Sequence, residues 1–225
     1  MSKPVSGAAS AAICCKRASR GNITTSGPTR KAAPASGNKW VISCLLYTSL
    51  LTLASGEKRP LTLNWDRSIQ CFAWTPDGKS LIATTDHLGQ RPLWRIDTRS
   101  GGATRITGDG RVEAFSVAGN RIYYAASTLG SPPDLYSIGI DGGKPLRLTR
   151  LNEPLLAQRT LGPYEAFAFP GWNGETVHGY LVKPADVAPQ KKCPVALLLH
   201  DGPHASLANG WDWRWNCLLY TSRCV

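Results

Sequence analysis

Between Leu50 and about Thr149 one order of local signals occurs twice. Cys71-Phe72-Ala73-Trp74 is apolar and aromatic. Thr75-Pro76-Asp77-Gly78-Lys79 then puts Pro and Gly where a tight turn needs them, and Ser80-Leu81-Ile82-Ala83-Thr84 follows. Two β-prone runs around such a turn predict a hairpin. Pro92–Asp97 reads as a third strand, Ser100-Gly101-Gly102 as the next turn, and Ala103–Thr107 as a fourth strand. The order then restarts with strands at Ala114–Val117, Arg121–Ala126, Asp134–Ile138 and Pro145–Thr149. Phe72 maps to Phe115, Leu93 to Leu135, Gly101-Gly102 to Gly142-Gly143, and Thr107 to Thr149, at an offset of 41 to 43 residues. A four-stranded unit recurring at roughly 40–45 residues has the period of a β-propeller blade. Residues Leu51–Gly56 through Leu61-Thr62 read as the end of a preceding blade. Trp74, Trp94, Tyr123, Tyr124 and Tyr136 are then expected to pack between blade sheets rather than to form a binding surface. His87, beside Asp86, is expected to be a solvated loop histidine.

Length and charge mislead until the chain is divided. The hexapeptide CLLYTS occurs at Cys44–Ser49 and again at Cys217–Ser222, with no similarity on either side. Structural repeats keep pattern and drift in identity, so this is not one. The codons TGT CTC TTA TAC ACA TCT spell it, and they are the end sequence of a transposon used to prepare sequencing libraries. Both copies are therefore expected to be translated adapter, outside the fold. Seven of the eleven net positive charges fall on Lys3, Lys16, Arg17, Arg20, Arg30, Lys31 and Lys39, and Arg223 adds an eighth. Residues 50–216 keep +3, an ordinary balance that gives no reason to expect a nucleic-acid partner. Of seven cysteines only Cys71 and Cys193 lie in that stretch, which supports neither a disulfide framework nor a zinc site. Residues 1–43, rich in Ala, Ser, Gly, Lys and Arg, resemble a transit peptide, a disordered basic arm, or out-of-frame DNA read as protein. The last of these accords with the hexapeptide that follows. The chain has no apolar run long enough for a transmembrane helix.

After Leu151 the character changes. Residues 151–163 read as a linker or crossing helix. Tyr164–Phe169 and Thr176–Lys183 read as strands about a Gly171-Trp172-Asn173-Gly174 hairpin turn. Pro194–Leu199 is a continuous apolar run, as expected of a strand buried on both faces of an α/β sheet, and it leads into His200-Asp201-Gly202-Pro203-His204. The order of propeller blade, Phe169–Leu181 hairpin, apolar strand, H-x-G-P-H loop and then Gly210-Trp211 and Arg214-Trp215-Asn216 resembles the prolyl oligopeptidase family, in its acylaminoacyl-peptidase and dipeptidyl-peptidase branch. The resemblance covers about Leu50 to Asn216.

That resemblance implies a mixed fold: a partial β-propeller of about two blades followed by the N-terminal part of an α/β-hydrolase domain. The expected division is a basic leader with adapter over 1–49, blades over 50–150, a linker over 151–163, the hydrolase opening over 164–216 and adapter over 217–225. It also implies hydrolysis of short peptides by a Ser/Asp/His triad. His200, Asp201, Gly202 and Pro203 occupy the place of the loop that supplies an oxyanion donor. Asp201 stands where the family usually has Gly, either as a genuine substitution or as a sequencing error. A carboxylate there would oppose a developing negative charge. No G-x-S-x-G occurs anywhere in the chain, and Ser206, Asp212 and His200 are too close in sequence to form a triad. The chain is therefore expected to be an inactive fragment of a serine peptidase, without catalytic residues of its own. Expected partners are short peptide substrates of the parent enzyme, with no nucleic acid, membrane, metal or cofactor; the compartment of a soluble protein, cytoplasm or periplasm, is left open. His200, His204 and Asp201 match no common metal-ligand spacing. The alternative is a non-catalytic propeller module that binds a partner.

Overall fold

The computed structural model describes residues 48–185, 192–199 and 206–213, together with the backbone of the strands at 30–32 and 39–43. Three antiparallel four-stranded sheets follow one another along the chain, each with its strands in sequential spatial order. The first comprises β1 (Arg30–Ala32), β2 (Lys39–Ser43), β3 (Thr48–Thr52) and β4 (Lys58–Pro60). The second comprises β5 (Ile69–Trp74), β6 (Ser80–Thr85), β7 (Leu93–Asp97) and β8 (Ala103–Arg105). The third comprises β9 (Arg111–Ala118), β10 (Arg121–Thr128), β11 (Ser131–Gly139) and β12 (Gly142–Arg147). The last two are the blades expected from the repeat, and the pattern is that of a partial propeller. Three strands, β1, β2 and β3, begin inside the segment read as a disordered leader. Thr48 and Ser49, from the first CLLYTS copy, are buried.

Side-chain polar groups shape the turns. Between β5 and β6, the Thr75 hydroxyl donates to Asp77 Oδ1 at 2.6 Å and accepts from Ser80 N–H at 3.0 Å. Asp77 Oδ1 also accepts from Lys79 N–H at 3.0 Å, and Gly78 takes the left-handed φ of 67° that closes the turn. Between β7 and β8, Asp97 Oδ1 accepts from Ser100 N–H, the Ser100 hydroxyl and Arg99 N–H at 2.8 to 3.0 Å. These bonds hold both carboxyls below the usual carboxylate range, led by Thr75 for Asp77 and by the Ser100 N–H for Asp97.

The core lies between sheets. One cluster, with Leu50, Leu61, Phe72, Trp74, Leu81 and Ile96, joins the first sheet to the second. Another, with Ala73, Ile82, Val112, Phe115, Ile122 and Ile138, joins the second to the third. The second sheet is covered on both faces, so every residue of β6 is buried. The third packs on one face only among the described residues. Ile122 and Tyr124 point inward, while Tyr123, Leu135, Leu146 and Leu148 are exposed. Trp74, Trp94 and Tyr124 pack in the core as expected of inter-blade aromatics, and Tyr123 does not.

His87 is a correction. It is half-buried, stands edge-on to Trp94 at 5.4 Å, and its Nδ1 accepts from Arg67 Nε and Nη2 at 3.2 and 3.1 Å. The aromatic wall beside the loop covers part of it.

A short helix, α1 (Glu153–Leu156), leads to the hairpin of β13 (Tyr164–Pro170) and β14 (Thr176–Val182), paired in unbroken register from Tyr164↔Val182 to Pro170↔Thr176. The run Pro194–Leu199, expected to be a strand buried on both faces, forms no strand. Val195, Leu197 and Leu199 are 84, 77 and 81% exposed. A central strand of a parallel sheet needs a hydrogen-bonded neighbour on each side, and no described residue supplies one.

Candidate functional site on the propeller loops

The oxyanion-loop candidates His200, Asp201, Gly202 and Pro203 lie outside the described residues, but the segments on either side are described. Upstream is the exposed apolar run. Downstream, Ser206–Trp213 lies on the propeller, with Ala208, Asn209 and Gly210 buried.

Propeller loops that connect second to third strands, or one blade to the next, form the surface that receives it. The β6–β7 connection closes with paired backbone bonds between His87 and Gln90, both 2.9 Å. Its two central residues, Leu88 and Gly89, have φ of 48° and 73°. A two-residue hairpin turn with positive φ at both positions is type I′, which favours Asn-Gly and strains a leucine. Gly89 C=O accepts from Asn209 N–H at 2.6 Å and from the Tyr180 hydroxyl at 3.2 Å. Gln90 donates through Nε2 to the Tyr180 oxygen and accepts through Oε1 from Gly110 N–H at 2.6 Å. Burial raises the Tyr180 phenol, the charges of Asp109 and Tyr164 add to that, and the Gln90 bond opposes it.

Asn209 also accepts, through Oδ1, from Leu129 N–H at 2.9 Å. Trp211 N–H donates to the Ser127 hydroxyl at 3.2 Å, Ser127 donates to Glu113 at 3.0 Å, and Glu113 pairs with Arg111 at 3.2 Å. Gly210 lies against the Arg111 stem, where a Cβ would come within 2.4 Å of Cδ. A cavity of about 220 Å³ opens beside these loops, bordered by Thr107, Asp109, Tyr124, Ser127, Ser131 and Tyr136. Burial, then the neighbouring Tyr136, pushes the Tyr124 phenol up to about 12. Among the described residues no group of three His, Cys, Asp or Glu side chains could hold a metal ion.

The arrangement is a docking surface rather than a reaction centre. It brings no nucleophile, base and acid together among the described residues. Sequence reasoning missed Gln90, Tyr180 and Asn209. The only local hint was a Gly-containing polar turn, Leu88-Gly89-Gln90, between two strands.

No family model matches the chain. It is similar to dipeptidyl-peptidase 5 of Schizosaccharomyces pombe, with 28% identity over 176 residues, 75% of this chain and 25% of that protein. It is also similar to a probable dipeptidyl-peptidase 5 of Aspergillus clavatus, with 31% identity over 159 residues, 68% of this chain and 22% of that protein. These relatives support a peptidase of the prolyl oligopeptidase family. The chain spans about a quarter of the length of the curated relatives it matches. The fold is also similar to that of Porphyromonas gingivalis dipeptidyl peptidase 4, a solved structure aligned with a TM-score of 0.65 at 17% identity over 86% of this chain and 29% of that one. Both relatives are named as dipeptidyl-peptidases.

Proposed function

We propose that this chain contributes propeller blades and the opening of the hydrolase domain to a serine peptidase of short peptides, of dipeptidyl or acylaminoacyl type, and is itself inactive. The observation that carries the proposal is that the match to dipeptidyl-peptidase 5 covers 75% of the chain, more than the blades alone occupy. The docking of Tyr180 and Asn209 on the propeller supports it, because a binding module would gain nothing from a hydrolase hairpin fixed to one face. In this reading His200-Asp201-Gly202-Pro203 is the oxyanion loop, and the propeller limits access to short substrates. The nucleophile belongs to a G-x-S-x-G turn, which this chain lacks.

The test has two arms. The complete enzyme from the same source should release the chromophore from unblocked dipeptidyl anilides or N-acyl amino-acid anilides and should be labelled by a serine-directed fluorophosphonate. The 225-residue chain should do neither. Amidase activity in the short chain, or none in the complete enzyme, would overturn the proposal.

A further inference from the structure

Two parts of the hydrolase opening that are distant in sequence, Tyr180 on β14 and Asn209 in the Ser206–Trp213 segment, meet the same carbonyl, that of Gly89. The residue is suited to this in two ways. Its φ of 73° favours glycine, and a Cβ there would stand 2.9 Å from the Tyr180 ring. The turn that presents it holds Leu88 at positive φ with a 56% exposed side chain, a strained arrangement at the point of contact. Gln90 then spans from the Tyr180 hydroxyl to Gly110, so two inter-strand loops of the propeller share the load. Asn209 spans Gly89 and Leu129, reaching the next blade.

We infer that the Leu88-Gly89 turn is the hub on which the propeller holds the hydrolase opening in place, with Gln90 and Asn209 as positioning residues. The name hydrolase opening rests on the proposed function. The docking does not, and its test reads no peptidase activity, so either can fail alone.

Hydrogen exchange resolved by amide separates docking from general stability. Gly119 also has positive φ, 56°, but no atom lies within 4 Å of where its Cβ would stand. Gly119→Ala therefore carries the backbone penalty without the collision. Gly89→Ala should raise exchange in β13, β14 and 206–213 by about tenfold relative to Gly119→Ala, with β5–β12 matched between the two. Equal exchange of the hairpin in both variants overturns the inference. Should Gly89→Ala lose protection throughout, Asn209 decides. Asn209→Ala should expose the Leu129 amide about tenfold, and Asn209→Asp, which keeps the acceptor, should restore its protection. An unchanged Leu129 amide in Asn209→Ala overturns the inference.

Discussion

Arg67 donates to His87 Nδ1, so the fold selects the neutral imidazole. Burial lowers its pKa first, and the cations Arg67 and Arg105, with His178, lower it further. A depressed histidine contributes stability that is present above its unfolded pKa, about 6.5, and is lost as pH falls through the folded value. The thermal midpoint should therefore fall between pH 7.5 and 5.5, and His87→Gln should flatten that part of the profile. Asp134 works in another range. Burial pushes its carboxyl up, but Arg147 at 2.5 Å, the Thr149 hydroxyl at 2.7 Å and Leu151 N–H at 3.2 Å outweigh burial and hold it below the usual range. Its contribution is present above about pH 3.9 and lost as pH falls through the folded value. Asp134→Ala leaves Arg147 without its buried partner and should cost about 3 kcal/mol in denaturant unfolding, at the lower end for buried pairs because Arg147 is partly solvated. Under the proposed function, Asp201→Gly in the complete enzyme should raise kcat at least about tenfold with little change in KM. At this scale the sequence was only partly legible. His87 looked like a solvated loop residue because nothing local announces that Trp94 and Arg67 pack against the loop.

Each of the three sheets repeats one element-level device. An N–H of the third strand donates to a threonine hydroxyl 14 residues on: Thr48 and Leu93, which begin their strands, to Thr62 and Thr107, and Leu135, within β11, to Thr149, each at 2.9 Å. This clasp ties the third strand to the chain just beyond the end of the fourth. Thr107→Val should cost about 1–2 kcal/mol, because the Leu93 N–H is buried and loses its partner. Thr149→Val should cost more, because the same hydroxyl also donates to the buried Asp134 carboxylate at 2.7 Å and that bond is lost as well. Equal costs in urea unfolding would contradict this account. The strands themselves were readable, since Pro, Gly, Asp and Asn mark their turns and the 41-to-43-residue offset aligned Leu93 with Leu135 and Thr107 with Thr149. The apolar run Pro194–Leu199 was misread as a formed strand for a general reason. Periodicity reports what a segment could bury, whereas a strand exists only when neighbours complete its hydrogen bonds.

At the scale of the whole molecule, the exposed apolar surface is concentrated where partner layers are absent among the described residues. Phe167 and Phe169 on β13, Val195, Leu197 and Leu199 in the apolar run, and Leu135, Leu146 and Leu148 on the third sheet are all more than 45% exposed. Surface of this kind drives association. Light scattering of the chain should rise with concentration, and the double change Leu197→Asp with Leu199→Asp should reduce it while leaving the far-ultraviolet spectrum of the sheets unchanged. Taken alone, the sequence determined the blade period, the turn positions, the β13–β14 hairpin and the family resemblance, because these depend on local backbone preferences and on ordered motifs along the chain. Only the tertiary structure decided that β6 is buried throughout while β9 alternates, that His87 is shielded, and that Gly89 receives both Tyr180 and Asn209. Those properties arise from surfaces distant in sequence meeting in space, and the chemistry of Gly89, Tyr180 and Asn209 taken one at a time contains no record of that meeting.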